Sequence, residues 1–129
     1  MLGGAGLVVY KEEQKMNCIK HDYKNTQLFF AKSCYNFNGG LAIQCYTEED
    51  GFPEPWSSVT TCLGEDPRSP YHAFIDVNNN GHDFLDWLEQ IGAGKRTGRV
   101  QRSGFVVYPY FEFKKDFVDK LPYVEQVGY

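Results

Sequence analysis

The sequence predicts an α+β fold, in which a curved antiparallel β-sheet of about five or six strands carries one main α-helix, with room for a short C-terminal helix. Short strand-like runs recur between turn signals along most of the 129 residues. One segment, residues 82–91, instead has apolar residues at helical spacing. A chain of this length fits one domain, so we expect these elements to share one core.

The N-terminal end is expected to stand apart from this domain. Residues 1–15 are predicted to be an extension, either disordered or an added strand over residues 7–11, and residues 16–129 the single domain. Met16 would serve equally well as a start. Residues 1–10 are apolar, but they lack a positively charged leader and are too short to span a membrane. We therefore expect a cytoplasmic protein without a membrane partner.

The first half of the chain predicts an antiparallel meander. The pair Lys24-Asn25 is a short turn signal, and residues 38–40, Asn-Gly-Gly, accept the positive φ of a tight hairpin. Residues 48–55, an acidic stretch with two prolines, are predicted to form a longer turn. The strand-like runs around these turns are residues 18–23, 26–36, 41–47 and 56–63.

The second half predicts a short strand and then the main helix. Two prolines keep the loop of residues 64–70 from becoming helical, and residues 71–77 follow as a strand. Residues 78–80, all asparagine, offer N-cap side chains for the helix of residues 82–91, which Gly92 ends. Its predicted buried stripe comprises Phe84, Leu85, Leu88 and Ile91, with Trp87 at the margin.

The end of the chain predicts a glycine-rich basic loop, residues 92–104, and then an aromatic strand, residues 105–113. Pro109 has no N–H to give to a ladder, so we expect this strand either at a sheet edge or with a bulge at that position. Residues 114–121 indicate a last short helix, closed by Pro122.

The composition argues against several classes of function. A net charge of −4 argues against a protein that coats nucleic acid, and 17 acidic against 13 basic residues is too balanced for a DNA mimic. The four cysteines include no Cys-x-x-Cys pair, which argues against a zinc knuckle; we expect them reduced, although their even number leaves disulfides open. Ten Phe, nine Tyr and two Trp indicate either an aromatic contact surface or aromatic cross-strand pairs.

The basic loop holds the densest chemistry, since four glycines and four of the 13 basic residues fall within residues 92–104. Glycine amides with Lys and Arg side chains can hold an anion, and two tyrosines downstream could stack on a base. A phosphate-loop motif is excluded, because Glu89 stands where such a loop needs its first glycine. The alternative is a solvated loop that balances the acidic turn. The predicted ligand-binding residues are Lys95, Arg96, Thr97, Arg99, Arg102, Ser103, Tyr108 and Tyr110.

Candidates for catalysis are sparse. His21, His72 and His82 do not form a ligand pair of the His-x-x-x-His kind. No serine or cysteine stands in a nucleophile-elbow pattern. We therefore expect no enzyme activity, no catalytic residue, no metal and no cofactor.

Six short motifs follow one another along the chain: residues 40–44 (Gly-Leu-Ala-Ile-Gln), 49–51 (Glu-Asp-Gly), 78–79 (Asn-Asn), 97–99 (Thr-Gly-Arg), 103–105 (Ser-Gly-Phe) and 108–109 (Tyr-Pro). Over about residues 16–115, their order and spacing resemble a bacterial domain family of unknown function, common on conjugative elements and phages of gut bacteria. Arg96 departs from that family, which usually has a proline there. The resemblance implies a bacterial host cell and a mobile-element setting, where genes often counter host defence. It implies no established activity.

We expect a small non-enzymatic binding protein, and the sequence leaves two kinds of partner open. The first is an anionic partner, a signalling nucleotide or a nucleic-acid phosphate, which a counter-defence factor would capture at the basic loop. The second is a host defence or nuclease complex, which the chain would inhibit through an edge strand and exposed aromatics. The oligomeric state is open, with a homodimer as one option.

Overall fold

A computed structural model describes residues 19–36, 38–64 and 69–127. The predicted extension, residues 1–15, and the domain boundary at residue 16 lie outside these ranges. The elements of the described chain are β1 (His21–Tyr23), β2 (Thr26–Cys34), β3 (Leu41–Glu49), β4 (Phe52–Ser58), β5 (Thr60–Thr61), β6 (His72–Ile75), α1 (Val77–Asn80), α2 (His82–Gln90), β7 (Gly94–Ser103), β8 (Val106–Phe113), α3 (Lys115–Asp119) and a 3₁₀ turn (Val124–Gln126).

The strands form two four-stranded antiparallel sheets, where the sequence predicted one curved sheet. The first has the order β1-β2-β3-β4 and the second β5-β6-β8-β7. The α+β class is confirmed; the single sheet is corrected, because the chain changes sheet between β4 and β5. There the buried Val59 donates its N–H to the Ile43 carbonyl and accepts from the Asp76 N–H, both at 2.9 Å. Val59 is therefore hydrogen-bonded on both sides of the junction.

Two-residue turns close both outer hairpins of the first sheet. Residues 24–25 have φ of 46° and 69°, which confirms the predicted turn between β1 and β2. Residues 50–51, at 52° and 83°, form a turn of the same length between β3 and β4. The long turn at 48–55 is therefore wrong, because β4 begins at Phe52 and includes both prolines, and the strand predicted at 56–63 is divided between the end of β4, at Ser58, and β5. An edge strand tolerates proline, since alternate amides face away from its ladder.

The main helix, α2, is confirmed in position and length. The predicted cap is wrong, because residues 78–80 belong to α1, where the Asp76 carboxylate accepts from the Asn79 N–H. Gly81, with φ of 83°, then separates the two helices. Trp87 is buried rather than marginal. The buried residues of α2 are Phe84, Leu85, Trp87 and Leu88.

The predicted basic loop is the strand β7, which pairs with β8 in a long hairpin. Glycine is needed at position 94 for space, because a Cβ there would lie 2.1 Å from the Glu112 carbonyl oxygen and 2.8 Å from the Phe111 ring. β8 is an interior strand, and the register shift in the hairpin ends opposite Pro109. The edge alternative is thus wrong, and the bulge lies in the partner strand instead, because three residues of β7, 97–99, stand opposite Tyr110 of β8. The last predicted helix is confirmed as the shorter α3.

The core draws buried side chains from both sheets, α2 and α3. Phe111 and Phe113 of β8 are buried in it, so the base of the hairpin is anchored in the core. Within the described ranges, no helix is both long and apolar enough to cross a membrane.

Candidate functional site

The β7–β8 hairpin carries every predicted ligand-binding residue. The basic residues are spread along the strand, since Lys95 and Arg102 pair with residues five positions apart on β8, which is about 17 Å at roughly 3.3 Å per residue. The structure thus places the predicted residues on one hairpin without gathering them into one hollow. Lys95, Arg96, Thr97, Arg99, Arg102 and Ser103 lie on β7, and Tyr108 and Tyr110 on β8.

Arg96 ties the start of β7 to the main helix. Its guanidinium donates to Glu89 at 2.8 and 3.1 Å and to Asp86 at 2.6 Å, and its backbone N–H donates to Glu89 at 2.9 Å. The hydrogen bonds from Arg96 lower the pKa of Glu89, and those to Glu89 and Asp86 raise the pKa of Arg96. Because most of its donors are already engaged, Arg96 holds two elements together and offers little to an anion.

Arg99 lies over aromatic rings at the register shift in β7. Its guanidinium carbon is 4.8 Å from the Tyr110 ring centre and 5.6 Å from the Phe74 ring centre, a cation–π arrangement. Thr97 fixes this bulge, because its hydroxyl donates to the Tyr110 carbonyl at 3.0 Å and accepts from the Arg99 N–H at 3.1 Å. Arg99 and Thr97 are therefore engaged within the hairpin itself.

The two predicted stacking residues are largely covered. Tyr110 is only 7% exposed, with Arg99 against its ring and the His72 ring stacked at a centre-to-centre distance of 5.4 Å. Tyr108 is half-buried and packs against the core. A base that stacked on Tyr110 would have to displace Arg99 or His72.

The hairpin tip, residues 100–107, exposes apolar and basic side chains together. Val100 is 57% exposed, Phe105 is fully exposed in the turn, and Val107 is exposed beside it. The register pairs Arg102 with Val107, and Val100 lies two residues away on the same strand, so these three share a face. Arg102 is exposed, and none of the ion pairs in the described part of the chain includes it.

β7 is an edge strand whose first half is closed. Lys95 lies there, exposed and in register with Glu112 of β8. The backbone N–H of Arg96 donates to the Glu89 carboxylate of the main helix, so it is not available to a partner strand. The bulge at Thr97 follows and breaks the regular ladder. A partner strand could not pair evenly along this half.

No strand of the described ranges covers the second half of the β7 edge. Ser103, which is exposed, and Val106 flank a two-residue turn and so form a hydrogen-bonded pair. Pairs alternate along an antiparallel ladder, so Arg102 and Val100 point their backbone N–H and C=O away from β8. Pro109 of β8 stands opposite Val100, and proline is tolerated there because a residue of a non-hydrogen-bonded pair does not donate its N–H to the opposite strand. The free backbone groups therefore lie beside the exposed side chains of the tip.

Sequence reasoning missed two features of this hairpin. It did not identify Val100 as part of a contact surface, because a lone valine in a charged stretch gives no signal. It also overlooked the carboxylates that engage Arg96, although Glu89 and Asp86 precede it by only 7 and 10 residues. The last turns of a helix and the start of the strand that follows it lie close in space. The sequence therefore did contain a signal for the ion pairs of Arg96 with Glu89 and Asp86.

Other reactive groups of the chain are scattered. Within the described ranges, no group of three or more His, Cys, Asp or Glu side chains is placed to hold a metal ion. Cys34, Cys45 and Cys62 are free thiols. Burial raises the pKa of Cys45 to about 12, which keeps it a protonated, weakly nucleophilic thiol at neutral pH.

Comparison with known proteins identifies the family. A family model described as "Domain of unknown function (DUF4313)" matches residues 31–126. The matched range runs from β2 to the 3₁₀ turn and includes the whole hairpin. No curated protein and no solved structure is significantly similar to the chain. Because the match covers most of the 129 residues, the chain belongs to the DUF4313 family, a domain of unknown function.

Proposed function

We propose that this chain is a non-enzymatic binding module that docks an acidic partner protein through its hairpin tip and the open edge of β7. One observation carries the proposal: exposed Val100, Phe105 and Val107 share the hairpin tip with the exposed Arg102, beside backbone groups at the end of an edge strand that no strand of the described ranges pairs with. Exposed apolar side chains grouped in this way mark contact surfaces more often than single ones do.

Each part of the tip has a physical role in this proposal. Phe105 offers a large apolar surface that a partner pocket can bury, which is how interface anchors contribute most of their energy. The outward N–H and C=O groups of Val100 and Arg102 can pair with a strand of the partner. The charge of Arg102 favours an acidic surface and speeds the encounter, mainly at low salt.

Capture of a nucleotide at the same hairpin has less support from the geometry. Arg96 is engaged by two carboxylates, and Tyr110 is covered by Arg99 and His72. Thermal shift against a nucleotide panel separates the two proposals. A rise in melting temperature that disappears in the Arg99→Ala, Arg102→Ala double variant would favour capture over protein docking.

The setting of this binding module stays a prediction. A mobile-element origin, and a host defence or nuclease complex as the acidic partner, rest on the motif resemblance alone.

Affinity capture from a bacterial lysate tests the proposal with matched variants. We expect wild type to retain a partner that Phe105→Ser and Arg102→Glu lose, and that added salt weakens. Phe52→Ser is the control, because Phe52 is 62% exposed on β4, the edge of the other sheet. Equal retention by wild type, Phe105→Ser and Arg102→Glu, with all variants folded by circular dichroism, would overturn the proposal. Concentration-dependent dimers of wild type would make a second copy the occupant of the tip.

A further inference from the structure

A second candidate site lies away from the hairpin tip, in a cleft beside α3. The cleft has a volume of about 220 Å³ and is open to solvent at one side. We call it the α3 cleft. Its apolar walls come from three parts of the fold: β2, the residue after α2, and α3 with the residues that follow it. The main wall residues are Phe30, Ile91, Phe117 and Leu121.

Two lysines give the rim of the α3 cleft a positive charge. Lys114 and Lys120 both line it, and neither takes part in an ion pair within the described ranges. The Lys114 ammonium lies 3.9 Å from the position that a Cβ on Gly92 would take, which places it at the cleft wall. Asp116 also lines the cleft, so its charged side chains sum to +1 (two lysines against one aspartate).

His21 completes the lining as a half-buried polar group. Its ring lies 6.0 Å from the Phe30 ring and 6.3 Å from the Trp87 ring, centre to centre. Burial lowers the pKa of His21, so the imidazole is neutral at pH 7. The cleft therefore combines an apolar interior, one neutral imidazole and an ammonium rim.

We propose that the α3 cleft binds a small organic monoanion, an apolar ring or branched chain that bears one carboxylate. The volume fits this class, because a cavity of about 150 Å³ holds benzene and the extra space admits a carboxylate. The apolar body would replace water against the four wall residues. The carboxylate would lie at the rim, where Lys114 and Lys120 can donate to it without a competing ion pair.

The charge distribution sets the specificity that this site should show. A neutral amide of the same shape would keep the apolar contacts and lose the ionic ones. A cation of the same shape would meet two like charges at the rim. We therefore expect affinity to fall from the carboxylate to the amide and again to the ammonium compound. This site is independent of the docking proposal, because no residue of the hairpin tip lines the cleft.

Titration of the full chain with benzoate, benzamide and benzylamine, followed by ¹H–¹⁵N NMR, tests the inference. We expect saturable benzoate shifts centred on the amides of Gly92, Phe117 and Leu121, with weaker binding of benzamide and the weakest of benzylamine. The double variant Lys114→Gln, Lys120→Gln should lose benzoate affinity on the order of tenfold, to the level of benzamide. Lys115→Gln is the matched control, because Lys115 is outside the cleft and pairs with Asp119.

A cleft-filling variant keeps the test decisive. Leu121→Trp should abolish binding of both benzoate and benzamide, whereas Phe105→Ser at the hairpin tip should change neither. Absence of saturable binding, equal affinity for the three probes, or benzoate affinity that survives the double lysine variant would each overturn the inference. A loss that Lys115→Gln reproduces would also overturn it, since general surface charge would then explain the effect.

Discussion

Two long edge strands of the described chain, β4 and β7, are protected to different degrees against pairing with another strand. Among the residues that the structure describes, both have no strand partner on one side, and such an edge invites unwanted pairing. In β4, Pro53 and Pro55 lie one and three positions beyond the hydrogen-bonded pair that flanks the turn. Both prolines therefore occupy outward positions, and their missing N–H groups close the edge. In β7 the equivalent outward positions, Arg102 and Val100, keep their N–H groups.

Phe52 of β4 is exposed, but the other aromatic side chain of this edge differs from the aromatic at the tip of the β7 hairpin. Trp56 of β4 is tethered, because its ring stacks on Phe84 at 5.9 Å and meets Tyr23 edge-on at 5.9 Å. Phe105 at the tip of the β7 hairpin is fully exposed. Prolines thus prevent strand pairing along the β4 edge. On the β7 edge only the first half is protected, by the Glu89 carboxylate and the bulge. An edge left open next to exposed apolar groups is where we expect a partner.

Gly94→Ala should have the largest effect, because it breaks β7 and leaves β4 intact. The new Cβ would collide with backbone and with the Phe111 ring, which cannot both move, so we expect a loss of about 3 kcal/mol or more in the free energy of unfolding. Gly98→Ala is the control. It has open space but φ of +92°, and should cost about 1 kcal/mol. Urea unfolding measures both, and equal losses would contradict the packing argument.

Arg102→Pro tests whether the open edge of β7 matters, because it places a proline at an outward position of β7, as Pro53 and Pro55 are placed in β4. Arg102→Pro removes an outward N–H without removing a ladder bond, so the fold should survive. Partner binding should fall on the order of tenfold below that of Arg102→Ala, which removes the charge alone. Calorimetry with the captured partner measures the difference. Identical affinities of the two variants would show that the partner does not add a strand.

Glu89→Gln tests what closes the base of β7. Because Arg96 is partly exposed, we expect a loss of only about 1 kcal/mol in unfolding free energy at neutral pH. The folded-state pKa of Glu89 lies below its ordinary 4.5, so this contribution is complete above that pH and is lost as the pH falls through the lowered value. The gap between wild type and variant should therefore narrow in acid. A gap that stays constant from pH 7 down to about pH 3 would refute the assignment.

The smallest effect should come from removing the exposed aromatics. Phe105→Ser and Phe52→Ser should each change the unfolding free energy by less than about 0.5 kcal/mol, because neither side chain is buried. Thermal unfolding checks this. A large loss for Phe105→Ser would mean that the tip serves the fold rather than a partner.

Local signals in the sequence were sufficient for some of these elements. The stripe of α2 and the turn at residues 24–25 depend on neighbours a few positions away, so periodicity and turn chemistry predicted them. β4 could not be predicted in this way, because prolines beside a tight turn are typical of loops until the edge position is known. The sequence of β7 predicts a loop, since its glycines and charges outweigh its strand signal, and only its pairing with β8 reveals the strand.

The candidate site was predictable in location but not in arrangement. Charge density and glycines led to the right hairpin. Which side chains stay free depends on contacts from distant segments, such as His72 stacking on Tyr110 across 38 residues of sequence (110 minus 72). Gly94 is likewise needed because no side chain fits between its backbone and the Phe111 ring, and such a close approach cannot be predicted from composition.

The hydrogen bonds of Val59 have a consequence for how the two sheets unfold. Its N–H donates to Ile43 of β3 and its C=O accepts from Asp76, which follows β6, so this one residue at the crossover is bonded to both sheets. Separating the two sheets breaks at least one of these bonds, together with the bond from the Ile43 N–H to the Thr60 hydroxyl. We therefore expect the two sheets to unfold together rather than one at a time.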